Sequence, residues 1–574
     1  MLLLLIGLGC NRDQDLKAQG IGTDESAQIQ YTLELSSPEY GAFYQDGPIP
    51  VQGFVSPSDA EVWIEGVAIE TQTDGSFSYE VPFAKQYEIV EVEVPQGELR
   101  ERIPVFSGDP PAETWPGGLT ARVLPEGLRI IGEQLGSLLD ETGWADSLSG
   151  ALPSQDWGFA GLNAVGVTHS PTVVALAGAD DGVAVDFTLR DVGVEYELWF
   201  TDFSGVMQSS PISVFFGEIA IGSTAVPNLN EDGVLLFSLV DADLTLDTPD
   251  FQFGPLEGWI LEWIVQQSWS WIVEPISENI LDALLGELGT IELGGPFAFE
   301  TDMMGVDFGV ALADVYGDPD GLAIGMALSL GDLSSDGARD MPIPTEEDAP
   351  SAQLALGIHE ALFHQLLSEQ LLGMLSQELD LGGAFGNIIG NGILMLPGGD
   401  DAPEGDGWCL SINPGTATVV RMQQNIEPLA LLYVPDMKVQ VGIKDGDDCD
   451  DWLVASLAAE IALNIKDGSK IGIDFDIAEG ALLYYGADDY EEQEVVSAFG
   501  MYLEGLLGLV GGFAEFDLAE ILGGGGTGLE GLPLDALSIN IKDSSQISVD
   551  GALMPGLFAL SIDLWNPEQQ DQVE

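Results

Sequence analysis

Histidine and glutamate occur together at one place in this chain where zinc chemistry is conceivable. His359-Glu360 and His364 read HEALFH, one residue longer than the H-E-x-x-H spacing that puts two zinc ligands on one helix face. At about 100° per residue, a spacing of five places the two rings about 140° apart around a helix. We therefore expect polar helix-surface histidines here and no zinc site.

Aspartates crowd the segment KDGDDCDDW at residues 444–452. Neighbouring carboxylates repel each other least when they are exposed or share a cation, so calcium stays an open alternative at this site. The residues concerned are Asp445, Asp447, Asp448, Asp450 and Asp451. The sequence indicates no other cofactor.

A second acidic segment, residues 228–233, reads NLNEDG and mimics the start of an EF-hand loop. The twelfth position is Leu239 instead of the bidentate glutamate, so the calcium cage cannot close. A hairpin turn is predicted instead.

Motifs of common enzymes are absent from the sequence: it contains neither G-x-S-x-G nor a Walker A loop. Residues 526–531 satisfy G-x-G-x-x-G, but Leu532-Pro533 and an alternating strand follow, where a phosphate site needs a helix. Carboxylate pairs have no specific support, because 96 acidic residues offer any spacing. We expect no enzymatic activity.

The three cysteines are Cys10, Cys409 and Cys449. The simplest account is one modified cysteine, Cys10, and one disulfide, Cys409–Cys449, formed in an oxidising compartment. Residues 1–9, MLLLLIGLG, form an apolar run that ends in small residues just before Cys10.

This N-terminal run resembles a bacterial lipoprotein signal. The resemblance implies a signal segment at 1–9, a lipid on Cys10, a polar tether at 10–30, and export to the cell envelope with anchoring at the outer membrane or cell surface. The match departs from the family at Gly7, where leucine is preferred, and in lacking a positively charged start. A start codon assigned too late would explain the second departure, and a buried apolar strand is the alternative reading.

Charge and hydropathy point in different directions. The 574 residues include 96 acidic and 15 basic ones, a formal charge of −81, which excludes nucleic-acid binding and docking on anionic membranes through a basic patch. The hydrophobic fraction of 45% and the mean hydropathy of +0.18 still provide several cores. The charge is interpreted first as adaptation to salty surroundings and second as calcium loading.

Residues 31–107 show strand after strand with period-two alternation, including VQGFV, EVWIEG, SFSYEV and YEIVEVEV. Their order resembles a bacterial immunoglobulin-like module, which implies a surface spacer. The Pro- and Gly-rich residues 108–117 are predicted to be a linker.

The rest of the chain repeats one pattern, which predicts two modules, 118–340 and 341–565, followed by a tail at 566–574. Pro125 aligns with His359, an offset of 359 − 125 = 234 residues. Each half begins with a strand and an amphipathic helix, continues with long alternating strands, and has a late helix, at 256–285 and from Tyr490. In the first half, residues 183–189 and 192–200 are predicted to be two successive strands.

This order resembles the tubular lipid-binding superfamily of bactericidal/permeability-increasing protein and lipopolysaccharide-binding protein. The best matches are LTARVLPEGLRIIGEQLGSLL, the helix after LTLDTPDFQFG, and QLALGIHEALFHQLLSEQL. The resemblance implies an α+β, mainly β fold: two pseudo-symmetric modules of twisted antiparallel sheet wrapped on long helices, with acyl chains in apolar tunnels. Two family features are missing: a basic tip that grips phosphates, and a disulfide in the first module.

Helix positions on apolar stripes are the predicted lipid contacts, with ordinary core packing as the alternative for each. They are Leu128, Ile131, Leu135, Trp259, Trp263 and Ile264 in the first module, and Leu362, Leu366, Leu367, Met374 and Leu503 in the second. The predicted function is lipid binding or transfer by a surface-anchored lipoprotein. The alternative is a structural or adhesive surface protein with solid β modules and no ligand.

Overall fold

Period-two alternation dominates the chain, and the computed structural model is accordingly built from strands. It describes residues 30–110, 118–142, 152–254, 290–365, 379–380, 407–486, 516–517 and 538–565; left out within these ranges are 46, 84, 153, 159, 202–204, 231–234, 294–297, 304–305, 331–332, 335–340, 415–417, 425, 446–447, 468–469, 477–481 and 550.

The N-terminal part is a sandwich of two sheets, ordered β1-β3-β6 and β2-β8-β7-β4-β5. Its core contains residues such as Val51, Ile64, Val92 and Val105, all 0% exposed. The strands predicted as SFSYEV and YEIVEVEV are β6 and β7. The sandwich strands are β1 (Thr32–Ser37), β2 (Ala42–Tyr44), β3 (Ile49–Ser56), β4 (Val62–Ile64), β5 (Val67–Ile69), β6 (Ser76–Val81), β7 (Tyr87–Val94) and β8 (Leu99–Ser107). Its assignment to the immunoglobulin-like class stays a prediction.

The first half contains an antiparallel sheet that we call the first sheet. Its order is β10-β11-β13-β14-β15-β17, with β12 added on β13 and β16 on β14. Its strands are β10 (Gln155–Asp156), β11 (Ala160–Thr168), β12 (Val173–Ala179), β13 (Gly182–Thr201), β14 (Met207–Leu229), β15 (Leu235–Leu246), β16 (Asp250–Phe253) and β17 (Thr290–Leu293). β14 and β15 are joined across residues 230–234, in agreement with the predicted hairpin.

The second half contains a sheet of the same design, the second sheet. Its order is β23-β24-β26-β27-β28-β30, with β25 added on β26 and β29 on β27. Its strands are β23 (Leu379–Asp380), β24 (Gly407–Pro414), β25 (Val419–Met422), β26 (Ala430–Asp445), β27 (Asp448–Asp467), β28 (Lys470–Asp476), β29 (Leu482–Gly486) and β30 (Phe516–Asp517). Every strand thus has a counterpart in the first sheet, which is the topology that an internal repeat produces.

A third sheet joins the halves, in the order β18-β19-β20-β9-β22-β32-β31, with β21 on β20. Its central pair, β9 and β22, is antiparallel and places Ala121 opposite Leu356. β22 starts 354 − 119 = 235 residues after β9, within one residue of the predicted offset. The strands are β9 (Leu119–Val123), β18 (Ala298–Met303), β19 (Val306–Asp318), β20 (Gly321–Leu330), β21 (Leu333–Ser334), β22 (Leu354–His359), β31 (Ser538–Val549) and β32 (Ala552–Trp565).

The predicted fold class, α+β with sheets wrapped on long helices, is wrong for the described chain, which is nearly all β. Within the described residues there are two α-helices, α1 (Pro125–Thr142) and the six-residue α2 (Glu360–Gln365). Strands of 20 and 23 residues, β13 and β14, satisfy their backbone groups by pairing with each other and need no helix to wrap. The predicted late helices, 256–285 and from Tyr490, lie outside the described residues.

The two strands predicted at 183–189 and 192–200 are one strand, β13, so that prediction is wrong. Arg190 and Asp191 are both exposed and break the alternation, and Asp191 has a positive φ of 53°. β14 breaks its own alternation directly opposite, between Phe216 and Ile219. The inward–outward alternation shifts by one residue in both strands at the same paired position. Their apolar side chains therefore stay on one face of the sheet, and β13 continues as one strand.

Candidate functional site

One face of the first sheet is apolar along nearly its whole length, and we call it the inner face. Residues from β13 and β14 point to this face at alternate positions, and Leu135 and Leu139 of α1 pack against it. From Val183 to Phe200 the stripe is about 56 Å long at about 3.3 Å per residue. Its most buried members are Leu189, Val192, Val194, Leu198, Ile212, Val214, Phe216 and Ile219.

A pair of matched irregularities keeps the inner face continuous. Ser170 Oγ donates a hydrogen bond to Asp191 Oδ2 across 2.8 Å, which holds the αL residue of β13 in place. Next to Asp191 on β13, Arg190 forms an exposed ion pair with Glu218 of the neighbouring strand β14 at 3.5 Å. These polar groups lie on the outer face, so the kink adds no charge to the apolar stripe.

The inner face becomes less covered toward β15 and β16. Leu244, Leu246, Phe251 and Phe253 pack on the apolar cluster but are only half-buried. The two phenylalanine rings stack with centroids 5.9 Å apart and planes 7° apart. Here the sheet offers apolar surface that the described residues do not fully cover.

The predicted lipid contacts divide into four groups. Leu128 is 2% exposed and, with the half-buried Ile131, packs in a separate cluster around Val123 and Val183, so both serve as core. Leu135 is half-buried and packs on the inner face. Leu362 is buried at the start of the second half. The others lie outside the described residues: Trp259, Trp263, Ile264, Leu366, Leu367, Met374 and Leu503.

The residues that sequence reasoning missed are on strands. Leu244, Leu246, Phe251 and Phe253 belong to the segment LTLDTPDFQF. The period-two spacing L-x-L and F-x-F is the signal that identifies one face of a strand. The apolar stripes of the predicted helices therefore do not include these strand positions.

Helix α1 closes one side of the inner face by unusually close packing on β12. A Cβ on Gly132 would lie 2.6 Å from the Val174 carbonyl oxygen, and one on Gly136 would lie 2.6 Å from that of Thr172. One turn later, Asp140 accepts a hydrogen bond from the Thr172 backbone N–H at 3.0 Å. The backbone of α1 therefore packs directly on the backbone of β12, with no side chains between them at these two glycines.

The sandwich is docked on the second sheet instead of standing apart as a spacer. Tyr87 stacks on Tyr433 of β26 with ring centroids 4.8 Å apart, and Phe106 meets the same ring at 5.8 Å. Burial raises the pKa of both tyrosines, so the phenols stay neutral in this contact. Gln423 adds a hydrogen bond to Gln86 at 3.3 Å.

The HEALFH histidines are not the polar surface residues that the spacing predicted. Both are half-buried, and burial lowers the pKa of each; Arg421 lowers that of His364 further. His359 Nδ1 accepts a hydrogen bond from the Ala361 N–H at 3.1 Å, so this ring caps the start of α2. Capping requires the neutral ring, which is the form that burial favours.

The expected disulfide does not fit the strand register. Cys409 faces Gly442 on one side of β26, and Cys449 faces Lys444 on its other side. Two strand spacings separate the cysteine Cα atoms by about 9.6 Å or more, whereas a disulfide spans about 4.4–6.8 Å. β26 therefore lies between the two cysteines. Cys10 lies outside the described residues.

The acidic segment at 444–452 is the hairpin between β26 and β27, with Asp445 opposite Asp448 and Ile443 opposite Asp450. Asp447 lies outside the described residues. Among the residues that are described, no three histidine, cysteine or acidic side chains gather closely enough to hold a metal ion. In the same residues, no helix has the length and hydropathy to cross a bilayer.

Comparison with known proteins gives similarity to solved structures alone. No family model and no curated protein matches the chain. A crystal structure of lipopolysaccharide binding protein aligns with 79% of this chain and 100% of its own, at 11% identity and a TM-score of 0.45. The crystal structure of Takeout 1 of Epiphyas postvittana aligns over 25% of this chain and 78% of the Takeout chain, at 14% identity and a TM-score of 0.18. The solution structure of latherin aligns over 29% of this chain and 94% of the latherin chain, at 12% identity and a TM-score of 0.17. TM-scores below 0.5 are too low to assign a family or a ligand.

Proposed function

We propose that the chain binds a lipid, or another ligand with long apolar chains, along the inner face of the first sheet. The observation that carries this proposal is the apolar stripe of β13 and β14, which continues past its buried part to the half-buried Leu244, Leu246, Phe251 and Phe253. Apolar surface that stays partly open gains free energy when an acyl chain covers it, by about 0.8 kcal/mol per buried CH₂.

The mechanism is partition, with no bond made or broken. Acyl chains lie parallel to the strands, and a polar headgroup stays at an end of the stripe, where water can solvate it. The stripe of about 56 Å exceeds the thickness of a bilayer hydrocarbon core, about 30 Å, so its length sets no limit on ordinary acyl chains.

Anchoring and transfer are further parts of the proposal. A lipid on Cys10 would hold the exported protein at the cell envelope, and the tether at 10–30 would connect it to the sandwich. With the sandwich docked through Tyr87 and Tyr433, the second half would follow the sandwich as one body. A body fixed in this way suits the movement of lipid between a membrane and a nearby acceptor.

Native mass spectrometry of gently purified protein tests the proposal directly, together with uptake of a fluorescent fatty acid. We expect co-purified lipid, and lower uptake in the double variant Phe251→Ser/Phe253→Ser. Phe215→Ser is the matched control, because Phe215 is 37% exposed on the outer face of β14, between Val214 and Phe216. Absence of lipid and of uptake would favour the alternative, a structural or adhesive protein with filled cores. Equal losses in both variants would contradict the inner face as the site.

A further inference from the structure

The hairpin end of the first sheet, where β13 turns into β14, exposes apolar side chains. Val206 is 56% exposed and Met207 is 68% exposed, the largest value among the large apolar side chains of the described chain. They follow Gly205, whose φ of 81° turns the backbone. A hairpin that ends in exposed apolar residues is costly in water and is typical of a surface that meets an apolar phase.

Two tryptophans stand at the same end. Trp199 lies on Gly161, where a Cβ would come within 2.4 Å of the indole ring, and remains half-buried. Trp157 is half-buried as well, and its backbone N–H donates to the Ala160 carbonyl oxygen at 2.7 Å, which fixes the turn that carries this side chain. Tryptophan has an apolar body and a polar N–H, and it is enriched where lipid meets water.

A buried hydroxyl faces the inner face at this end. Ser210 is opposite Leu198 and lies on the same face as Ile212, two residues further along β14. The side chain is 3% exposed, and among the described residues its Oγ has no hydrogen-bond partner. An unsatisfied hydroxyl in an apolar stripe is prepared to bond a polar atom of an entering ligand.

Charge restricts the headgroup that this end can accept. Residues 130–338 contain a single lysine or arginine, Arg190, and its guanidinium is paired with Glu218 at the kink. That kink is about 33 Å from the hairpin end at about 3.3 Å per residue. The exposed Asp156 and Glu197 lie close to the tryptophans. An anionic headgroup would find repulsion here and no cation to neutralise it.

We infer that this end admits lipids from a bilayer surface without net negative charge, and that Ser210 binds the ester or hydroxyl oxygen next to the headgroup. The inference rests on the proposed function and names its substrate class: neutral or zwitterionic lipids. Val206, Met207 and the tryptophans contact the bilayer, and the acyl chains then follow the inner face.

The test compares transfer of a fluorescent diacylglycerol to the full-length protein from two kinds of vesicle. One is phosphatidylcholine alone, and the other contains phosphatidylglycerol, at about 0.1 M salt where the Debye length is about 10 Å. We expect transfer to be about tenfold faster from phosphatidylcholine. Equal or faster transfer from the anionic vesicles would overturn the inference. No transfer from either would contradict the proposed function itself.

Surface variants identify the contact. Val206→Glu/Met207→Glu should slow transfer from phosphatidylcholine vesicles about tenfold. Val206→Lys/Met207→Lys should make transfer from anionic vesicles faster than in the parent protein. The matched control is Val549→Glu/Leu553→Glu, which changes two exposed apolar residues (38% and 60%) on another hairpin and should leave transfer unchanged. If the control pair slows transfer as much as the first pair, the assigned end is wrong.

Ser210→Ala separates a binding role from a structural one. Removing an unsatisfied buried hydroxyl should not lower the melting temperature. Retention of the diacylglycerol should fall severalfold, while retention of a hydrocarbon probe without oxygen should not change. If both ligands are retained as in the parent protein, Ser210 makes no bond to the lipid.

Discussion

Arg421 Nη1 donates a hydrogen bond to Glu360 Oε1 across 2.9 Å, and the two side chains are only 14% and 13% exposed. The pair joins β25 to the start of α2. Arg421 also donates to the Asp109 carbonyl oxygen, at the end of the sandwich, and its guanidinium lies 5.9 Å from the Phe43 ring centre. In a chain with 15 basic residues, one arginine thus connects three parts of the molecule.

Arg421→Met should therefore weaken the docking of the sandwich. Removing one partner of a mostly buried ion pair leaves Glu360 uncompensated and costs about 3 kcal/mol. We expect calorimetry to show a separate, earlier transition and protease to cut sooner near residues 108–117. Arg190→Met is the control, because its pair with Glu218 is exposed and should change the unfolding free energy by less than about 1 kcal/mol. Equal effects of both variants would contradict the connecting role.

Acidification should destabilise the region around α2. Burial holds the pKa of His359 and of His364 below the ordinary value of 6.5, so the unfolded chain takes up protons first as the pH falls. Their contribution to the unfolding free energy is complete above pH 6.5 and is lost as the pH drops below it.

The double variant His359→Asn/His364→Gln isolates this contribution. Asparagine keeps an acceptor for the Ala361 N–H, and neither replacement titrates. Urea unfolding at about pH 7.5 and 5.5 should show a smaller loss of stability in the variant than in the parent protein. Identical losses would mean that other groups control the pH dependence.

Gly132→Ala tests the close contact between α1 and β12 through the sign of its effect. Alanine favours a helix over glycine by about 1 kcal/mol, so a helix with room would be stabilised. The Val174 carbonyl oxygen stands 2.6 Å from the new Cβ, so we expect destabilisation of about 1–3 kcal/mol instead. Ser137→Ala, an exposed position on the same helix, should change stability by less than about 0.5 kcal/mol in urea unfolding.

The strand register predicts that Cys409 and Cys449 are both reduced. We expect both thiols to react with an alkylating reagent after unfolding without reductant, and mass spectrometry to find no peptide that links them. Cys409→Ser should leave the melting temperature insensitive to reductant, as in the parent protein. A Cys409–Cys449 peptide would show that β26 does not separate the two strands.

Salt should stabilise the protein, because 81 net negative charges repel one another. Raising NaCl from about 0.1 to 1 M shortens the Debye length from about 10 to 3 Å, and we expect the melting temperature to rise steadily. Replacing part of the NaCl with CaCl₂ at equal ionic strength tests the alternative interpretation, that the acidic residues bind calcium. A further rise that saturates and that a chelator reverses would favour bound calcium, and no further rise would favour screening alone.

Local patterns in the sequence anticipated individual strands and the repeat, whereas the predicted fold class was wrong. SFSYEV and YEIVEVEV became β6 and β7. The strand and helix repeated at an offset of 234 predicted two related modules, and the structure added that their sheets share one strand order. The predicted lipid contacts stay predictions. Leu135 does contact the inner face, whereas Leu128 and Ile131 are core, and the open strand residues Phe251 and Phe253 were not predicted.

By itself, the sequence determined which residues alternate, where the pattern repeats, and that the first half has almost no positive charge. These are local or compositional properties, and period-two alternation directly specifies the face of a strand. Tertiary structure decided which strands pair: that β9 meets β22 between the halves, that β26 separates the cysteines, and that Tyr433 receives the sandwich. Alternation assigns a face but names no partner, because partners far apart in the chain are selected by the packing of the whole molecule.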